Sequence, residues 1–249
     1  MDLINLLDGD KSALLTSGFV DDFDYLSLAE TGSAGRWNTL DADSGASVAH
    51  DADGLDGRVL LTTGATDNNE AYLYSNEVGQ FLNGKPMLMV VRLQYAESAT
   101  DDANVIFGLV ETVGANTLQD DGAGPPADYD GAVLFKADGD TRWSFETSQG
   151  TSQTTTETNK TAGGTSFQTL AIQVDPISSS EMLVTPWIDT AGGNALVQPP
   201  QQGANARTPL IQHRVGYDAG NMSLVVGVKA GSGSSEVVTV DLAIFRKKR

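Results

Sequence analysis

Asp41, Asp43, Asp51, Asp53 and Asp56 crowd among Gly45, Gly54 and Gly57 in the stretch DADSGASVAHDADGLDG. Dense Asp–Gly runs of this kind can hold calcium through carboxylate oxygens arranged around a tight loop. An EF-hand-type loop needs oxygen ligands at its first, third and fifth positions, a Gly at the sixth and a Glu at the twelfth. Counted from Asp51, the third position is Asp53, but the fifth is Leu55, the sixth Asp56 and the twelfth Thr62. Counted from Asp41, the fifth position is Gly45. Neither register supplies the ligands. The stretch fits a chain reversal instead, with Asp53-Gly54 and Asp56-Gly57 as positive-φ turn residues between the strand-like runs Ser47 to Ala49 and Val59 to Thr63. No metal and no cofactor is expected.

Hydrolysis of a glycosidic bond needs two carboxylates on one face, roughly 5–5.5 Å apart for retention or 6.5–9.5 Å for inversion. Glu146 stands alone on its strand, and Asp241 lies at odd spacing from Glu236. GQFLNGKP nearly matches a phosphate-binding loop, but Pro86 replaces the hydroxyl residue that would hold magnesium, and a strand pattern follows where a helix is required. His50 and His213 have no nucleophile signature beside them and read as two unrelated surface histidines. The chain is therefore not expected to be an enzyme. Trp37, Trp143 and Trp187 could each stack on a sugar ring. Trp143 shares a face with Phe145 and reads as core, whereas Trp187 is less constrained. The run LQDDGAGPPADYDG places Tyr129 among four Asp residues in a long Gly/Pro connection that reads as exposed. The terminal Arg246-Lys247-Lys248-Arg249 reads as a solvated tail.

The totals narrow the partners. Lys plus Arg is 15 and Asp plus Glu is 33, giving a net charge of −18 over 249 residues. Such a surface repels phosphate backbones, which argues against nucleic acid. There are no cysteines, so disulfides and thiolate sites are excluded. The opening MDLINLLDGDKSALL has no basic region or continuous apolar core and does not read as a secretory signal. No run is long enough to span a membrane as a helix.

The elements that must position these residues are strands. Met87 to Tyr95, Thr141 to Thr147, Gln168 to Val174, Met222 to Val228 and Val238 to Ile244 all alternate apolar and polar residues with a period of two. Val105 to Val110 and Ala132 to Phe135 are apolar on both faces, as central strands are. GAVLFKADGDTRWSFET is a strand, an Asp138-Gly139 turn and a second strand. Pro186 argues for an edge or a bulge in its strand, and the Thr-rich run from Thr147 to Ser166 reads as a solvated strand. The expected fold is an all-β antiparallel sandwich, with residues 1–17 as an N-terminal arm and residues 18–249 as one domain ending in the basic tail.

Three stretches carry a resemblance. FVDDFDY followed by Trp37 looks like the opening strand of concanavalin A-like (laminin G-like) jelly rolls. GAVLFKADGDTRWSFET looks like their central hairpin. FQTLAIQVDPISSSEMLVTPWIDTAGGNALV and MSLVVGVKAGSGSSEVVTVDLAIFR are similar to their late and closing strands. The Glu-x-Asp-x-x-Glu strand of the glucanase members and the legume-lectin metal motif are both missing. Within that superfamily, LTTGATDNNEAYLYSNEVGQFLNGKPMLMVVRLQYAESATDDANVIFGLVE resembles structural proteins of tailed bacteriophages, particularly marine ones. This implies a virion component assembled in the host cytoplasm: a capsid decoration (cement) protein on the capsid surface, bound as a trimer to the major capsid protein. Stabilisation would come from preferring the assembled shell, with Leu3, Ile4, Leu6 and Leu7 of the arm as anchors. The alternative is a lectin-like module of a head or tail fibre that binds a host surface glycan through Tyr129 or Trp187.

Overall fold

Residues with a period-two pattern pair into sheets because each strand must bury one apolar face and saturate its backbone with a neighbour. In the computed structural model, residues 17–24, 36–41, 43–51, 57–82, 84–191, 195–205 and 208–248 are described. Their strands are β1 (Ser17–Asp21), β2 (Trp37–Leu40), β3 (Ser47–His50), β4 (Val59–Thr62), β5 (Glu70–Phe81), β6 (Met87–Ala96), β7 (Ala103–Val110) and β8 (Gly131–Lys136). They continue with β9 (Arg142–Gln149), β10 (Ser152–Thr161), β11 (Gly164–Pro176), β12 (Glu181–Asp189), β13 (His213–Gly216), β14 (Asp218–Ala230) and β15 (Val237–Lys247). The only helical element among the described residues is a single 3-10 turn at Asp120–Gly122.

Two antiparallel sheets form. The first runs β13-β12-β11-β6-β15-β4-β3, with β1 also on β15, and the second runs β10-β9-β8-β7-β14-β5-β2. Their facing surfaces interleave Trp143, Phe145, Phe107 and Leu134 of the second sheet with Leu170, Met89, Val240 and Phe245 of the first. β7 and β8 are buried on both faces, as their sequences require. The Asp138-Gly139 turn joins β8 to β9, with Gly139 at φ 80°.

The Asp–Gly stretch sits where the turn reading puts it. His50 pairs with Val59, and Asp51 N–H donates to the Arg58 carbonyl at 2.9 Å, so the chain reverses between β3 and β4. Residues 52–56 lie outside the described residues. Gly57 has φ 62°, and a Cβ there would fall 2.4 Å from the Asp22 carbonyl oxygen, so only glycine fits. Asp43 accepts the Glu70 N–H at 2.8 Å and Asp41 accepts the Val48 N–H at 3.2 Å, which are turn-fixing roles. Pro186 remains in β12, opposite Ile172, just beyond the point where β13 stops pairing at Val184. The missing N–H therefore coincides with an edge. β10 is the solvated Thr-rich strand, at the edge of the second sheet.

The connection of residues 111–130 is exposed at Asp120, Asp121 and Asp128, as expected, but it is anchored at Leu118. Leu118 is fully buried and joins Val113 and Tyr129 on the outer face of the second sheet, against Tyr72, Ile106, Val133 and Phe135. Lys229 of β14 explains why. Its ammonium is fully buried and reaches Asp120 Oδ1 at 2.5 Å, Asn116 Oδ1 at 2.6 Å, the Leu118 carbonyl at 3.0 Å and Glu70 Oε2 at 3.4 Å. Glu70 also accepts from Tyr72 Oη at 2.9 Å and from Asn116 N at 3.0 Å, while Tyr72 Oη accepts from Leu118 N at 3.0 Å. Burial and the Glu70 charge hold the Tyr72 phenol well above its ordinary value. A buried cation without such partners costs several kcal/mol, so the connection is held wherever it supplies them.

Removing the cation while keeping the stem should expose that dependence. Lys229→Met is expected to destabilise the fold by about 3–5 kcal/mol, because Glu70 is left uncompensated. Adding Glu70→Gln should recover part of the loss in urea unfolding. A single variant as stable as wild type would refute this role.

Candidate functional site

Three strand ends meet at one corner of the second sheet. Glu111 follows the last residue of β7, Asp130 precedes β8, and Asp218 opens β14, which pairs with β7. Glu111 N–H donates to the Asp130 carbonyl at 2.9 Å, and Gly150 N–H donates to Asp130 Oδ1 at 2.6 Å. Asp218 Oδ1 accepts the Gly220 N–H at 2.6 Å. A Cβ on Gly220 would lie 2.7 Å from Glu111 Oε1 and 3.1 Å from Asp218 Oδ1, so both carboxylates converge over that glycine. Desolvation, then the charges of Asp130 and Asp218, push the Glu111 carboxyl above its ordinary value.

Tyr129 borders this corner. Its ring is half-buried, with Cε2 at 3.0 Å from where a Gly131 Cβ would sit. Its hydroxyl is buried beside Glu146 without a hydrogen bond of ordinary geometry, and burial followed by the Glu146 charge raises it well above a normal phenol. Tyr129 therefore keeps its hydroxyl inside while part of the residue stays accessible. Glu146, 5% exposed, accepts from Thr155 Oγ1 and from Gln153 Nε2 at 3.2 Å, and burial raises its carboxyl. Its hydrogen-bond partners are a hydroxyl and an amide, and its strand mates on that face are Ser144 and Ser148. This arrangement holds a carboxyl group in place.

Trp187 lies elsewhere. It packs half-buried on the outer face of the first sheet with Leu88, Val90, Ala171, Leu196 and Ile244, and its Nε1 is buried without an acceptor. The two aromatic candidates thus sit on opposite outer faces and cannot share one ligand. Leu3, Ile4, Leu6 and Leu7, with the rest of residues 1–16, lie outside the described residues, while Ser17 already belongs to β1. Among the described residues, no three His, Asp or Glu side chains are placed to hold a metal ion.

His213 corrects the surface-histidine expectation. It is 6% exposed, stacked on Phe145 at 4.6 Å, with Nδ1 at 3.1 Å from Thr147 Oγ1 and Nε2 at 3.0 Å from Thr156 Oγ1. The ring links β13 of the first sheet to β9 and β10 of the second. The basic tail is also partly structured, because Arg246 and Lys247 are half-buried residues of β15. Sequence reasoning missed the Glu111–Asp130–Asp218 corner because its members are distant along the chain. The available signal was an acid placed directly at the end of an apolar strand run, as in Val110-Glu111 and Asp130-Gly131.

No protein-family model and no curated protein matches the chain. Solved structures do. A protein of unknown function from Shewanella oneidensis MR-1 superposes with a TM-score of 0.58 at 14% identity, covering 96% of this chain and 92% of that one. The carbohydrate recognition domain of Emp47p gives 0.53 at 15% identity, covering 97% and 100%. An endo-β-1,4-glucuronan lyase from the fungus Trichoderma reesei gives 0.57 at 12%, covering 92% and 94%. The fold is therefore a concanavalin A-like jelly-roll sandwich, one shared by lectins and by glycan-cleaving enzymes.

Burial lowers the His213 pKa from 6.5 to about 4. Between these values the unfolded chain binds more protons, so this contribution is complete above pH 6.5 and is lost as the pH falls toward 4. His213→Gln, which cannot titrate, should lose that component. The stability difference between wild type and variant should shrink by up to about 3 kcal/mol from pH 7 to pH 4. A constant difference in denaturant titrations across that range would contradict a buried neutral imidazole.

Proposed function

We propose that the chain is a non-catalytic glycan-binding module that takes sugar at the corner formed by Glu111, Asp130, Asp218 and the ring of Tyr129. The carrying observation is the convergence of these carboxylates beside a half-buried aromatic ring. Carboxylates accept hydrogen bonds from sugar hydroxyls, while an aromatic surface covers the apolar side of a ring. The same fold serves a carbohydrate recognition domain in Emp47p, which supports the ligand class. The glucuronan lyase shares the fold too. Catalysis is disfavoured for this chain because Glu146 is enclosed by Thr155, Gln153 and Tyr129, and because residues 111–130 fill the outer face of its sheet.

A second reading places the module in a phage virion, as a capsid decoration protein bound to the major capsid protein. The observation favouring it is that the outer face of the second sheet is closed by the chain's own connection, leaving a packed acidic block better suited to a coat than to an open cleft. Trimeric assembly and arm anchoring through Leu3, Ile4, Leu6 and Leu7 belong to this reading.

Glycan-array binding by the full chain should weaken roughly tenfold in Glu111→Gln/Asp218→Asn, with the melting temperature unchanged. A wild-type chain that binds no glycan would overturn the first reading. For the second, hundreds of copies co-purifying with DNA-filled particles are expected, and their absence would overturn it.

A further inference from the structure

Three lysines without ion-pair partners gather around one groove. The end of β15, the turn before β6 and the end of β5 enclose about 390 Å³, lined by Ser17, Gln80, Lys85, Met87, Lys247 and Lys248. Acids outnumber bases 33 to 15 in this chain, yet among the described residues no carboxylate lines the groove. Arg36, Arg92, Lys136, Arg142, Arg214 and Lys229 are all ion-paired. Among the described residues, Lys85, Lys247 and Lys248 are not, nor are Arg58, Lys160 and Arg246, but only the three lysines gather at one groove. A cluster of one sign against low-dielectric walls concentrates the local field, and here its sign is opposite to that of the chain as a whole.

The groove is also preset. Lys247 Nζ donates to the Val78 carbonyl at 2.6 Å, which leaves two of its three N–H donors for a ligand. Lys248 N–H donates to the Pro86 carbonyl at 3.1 Å, and Lys85 N–H closes its turn onto the Leu82 carbonyl at 3.1 Å. Buried Met87 supplies an apolar wall. Gln80 ties the groove to the carboxylate corner: its Nε2 donates to the Ala219 carbonyl at 2.9 Å and to Asn221 Oδ1 at 2.8 Å. Between those two residues lies Gly220, over which Glu111 and Asp218 converge.

We infer that this groove binds the acid group, carboxylate or sulfate, of an acidic glycan whose neutral hydroxyls reach the adjoining corner; the inference rests on the glycan-binding reading. Lysine ammoniums act as point charges suited to either acid group. Glu111, Asp130 and Asp218 repel an acid group placed among them. The two halves therefore orient the ligand, with its charge in the groove and its hydroxyls at the corner.

The test titrates the full chain calorimetrically with an oligoglucuronate, a sulfated oligosaccharide, a neutral glucan oligomer of equal length, and inorganic sulfate. Wild type is compared with Lys85→Gln/Lys248→Gln, with an unchanged melting temperature as the folding control. At least one acid-bearing oligomer should bind roughly tenfold tighter than the neutral one, and that advantage should vanish in the variant and fade at raised salt. Whichever acid-bearing oligomer binds identifies the group. Equal binding of acidic and neutral oligomers, or undiminished binding by the variant, would overturn the inference and leave the glycan reading intact. Binding of sulfate with no oligomer, or of nothing at all, would overturn both.

Discussion

Two buried ammonium groups constrain this sandwich more tightly than any apolar contact. Lys229 is fully buried and Lys136 is 1% exposed. Neither can give up a partner without leaving a charge in a low-dielectric interior. Lys136 is held by Glu97, by the Asp101 carbonyl at 2.6 Å and by the Ala103 carbonyl at 2.8 Å, which fixes the turn between β6 and β7. Lys229 does the same for the connection from β7 to β8. Apolar packing tolerates repacking of similar volume, but a saturated cation tolerates little displacement of its acceptors. The positions of Asn116, Leu118 and Asp120 are thus set by β14, and the path of the chain into Tyr129 and Asp130 follows from them.

That constraint reaches the corner through covalent connection. With its middle pinned on the outer face of the second sheet, the 111–130 segment must leave β7 at Glu111 and return to β8 at Asp130. The Glu111–Asp130 backbone hydrogen bond joins those ends. Mutual repulsion among Glu111, Asp130 and Asp218 is the consequence, and a concentration of like charge held in place by the fold is where a hydrogen-bond-donating ligand gains most.

Much of the fold was legible because period-two alternation is local. Trp143 and Phe145 read as one core face and are one, and Asp138-Gly139 reads as a hairpin turn and is one. Apolar runs on both sides of GAVLFK and ANVIFGLV mark central strands for the same reason. What could not be read are pairings between residues distant along the chain. Nothing near His213 announces Thr147 and Thr156, and nothing near Lys229 announces Asp120. A signal for the lysines was nonetheless present, since AVLFK and LVVGVK each end an apolar strand on a single Lys. A cation at the end of a doubly buried strand must either reach solvent or find acceptors. The chain reversal between β3 and β4 was legible because turn chemistry is local, whereas the anchoring of the exposed LQDDGAGPPADYDG connection at Leu118 was not, because its partner Lys229 is distant along the chain.

Acid response in this molecule is a contest of signs. Burial raises the carboxyls of Glu146, Glu236 and Asp241, so the folded chain binds their protons more readily than the unfolded chain does, and stability from these groups grows as the pH falls through their folded values. Burial lowers His213, with the opposite consequence. A histidine that closes the gap between the two sheets thus loses stability under the same conditions in which enclosed carboxyls elsewhere gain it. The two contributions oppose each other, so together they give a smaller slope of stability against pH than the larger of them alone. A change confined to one group should therefore reveal a dependence that the whole chain conceals.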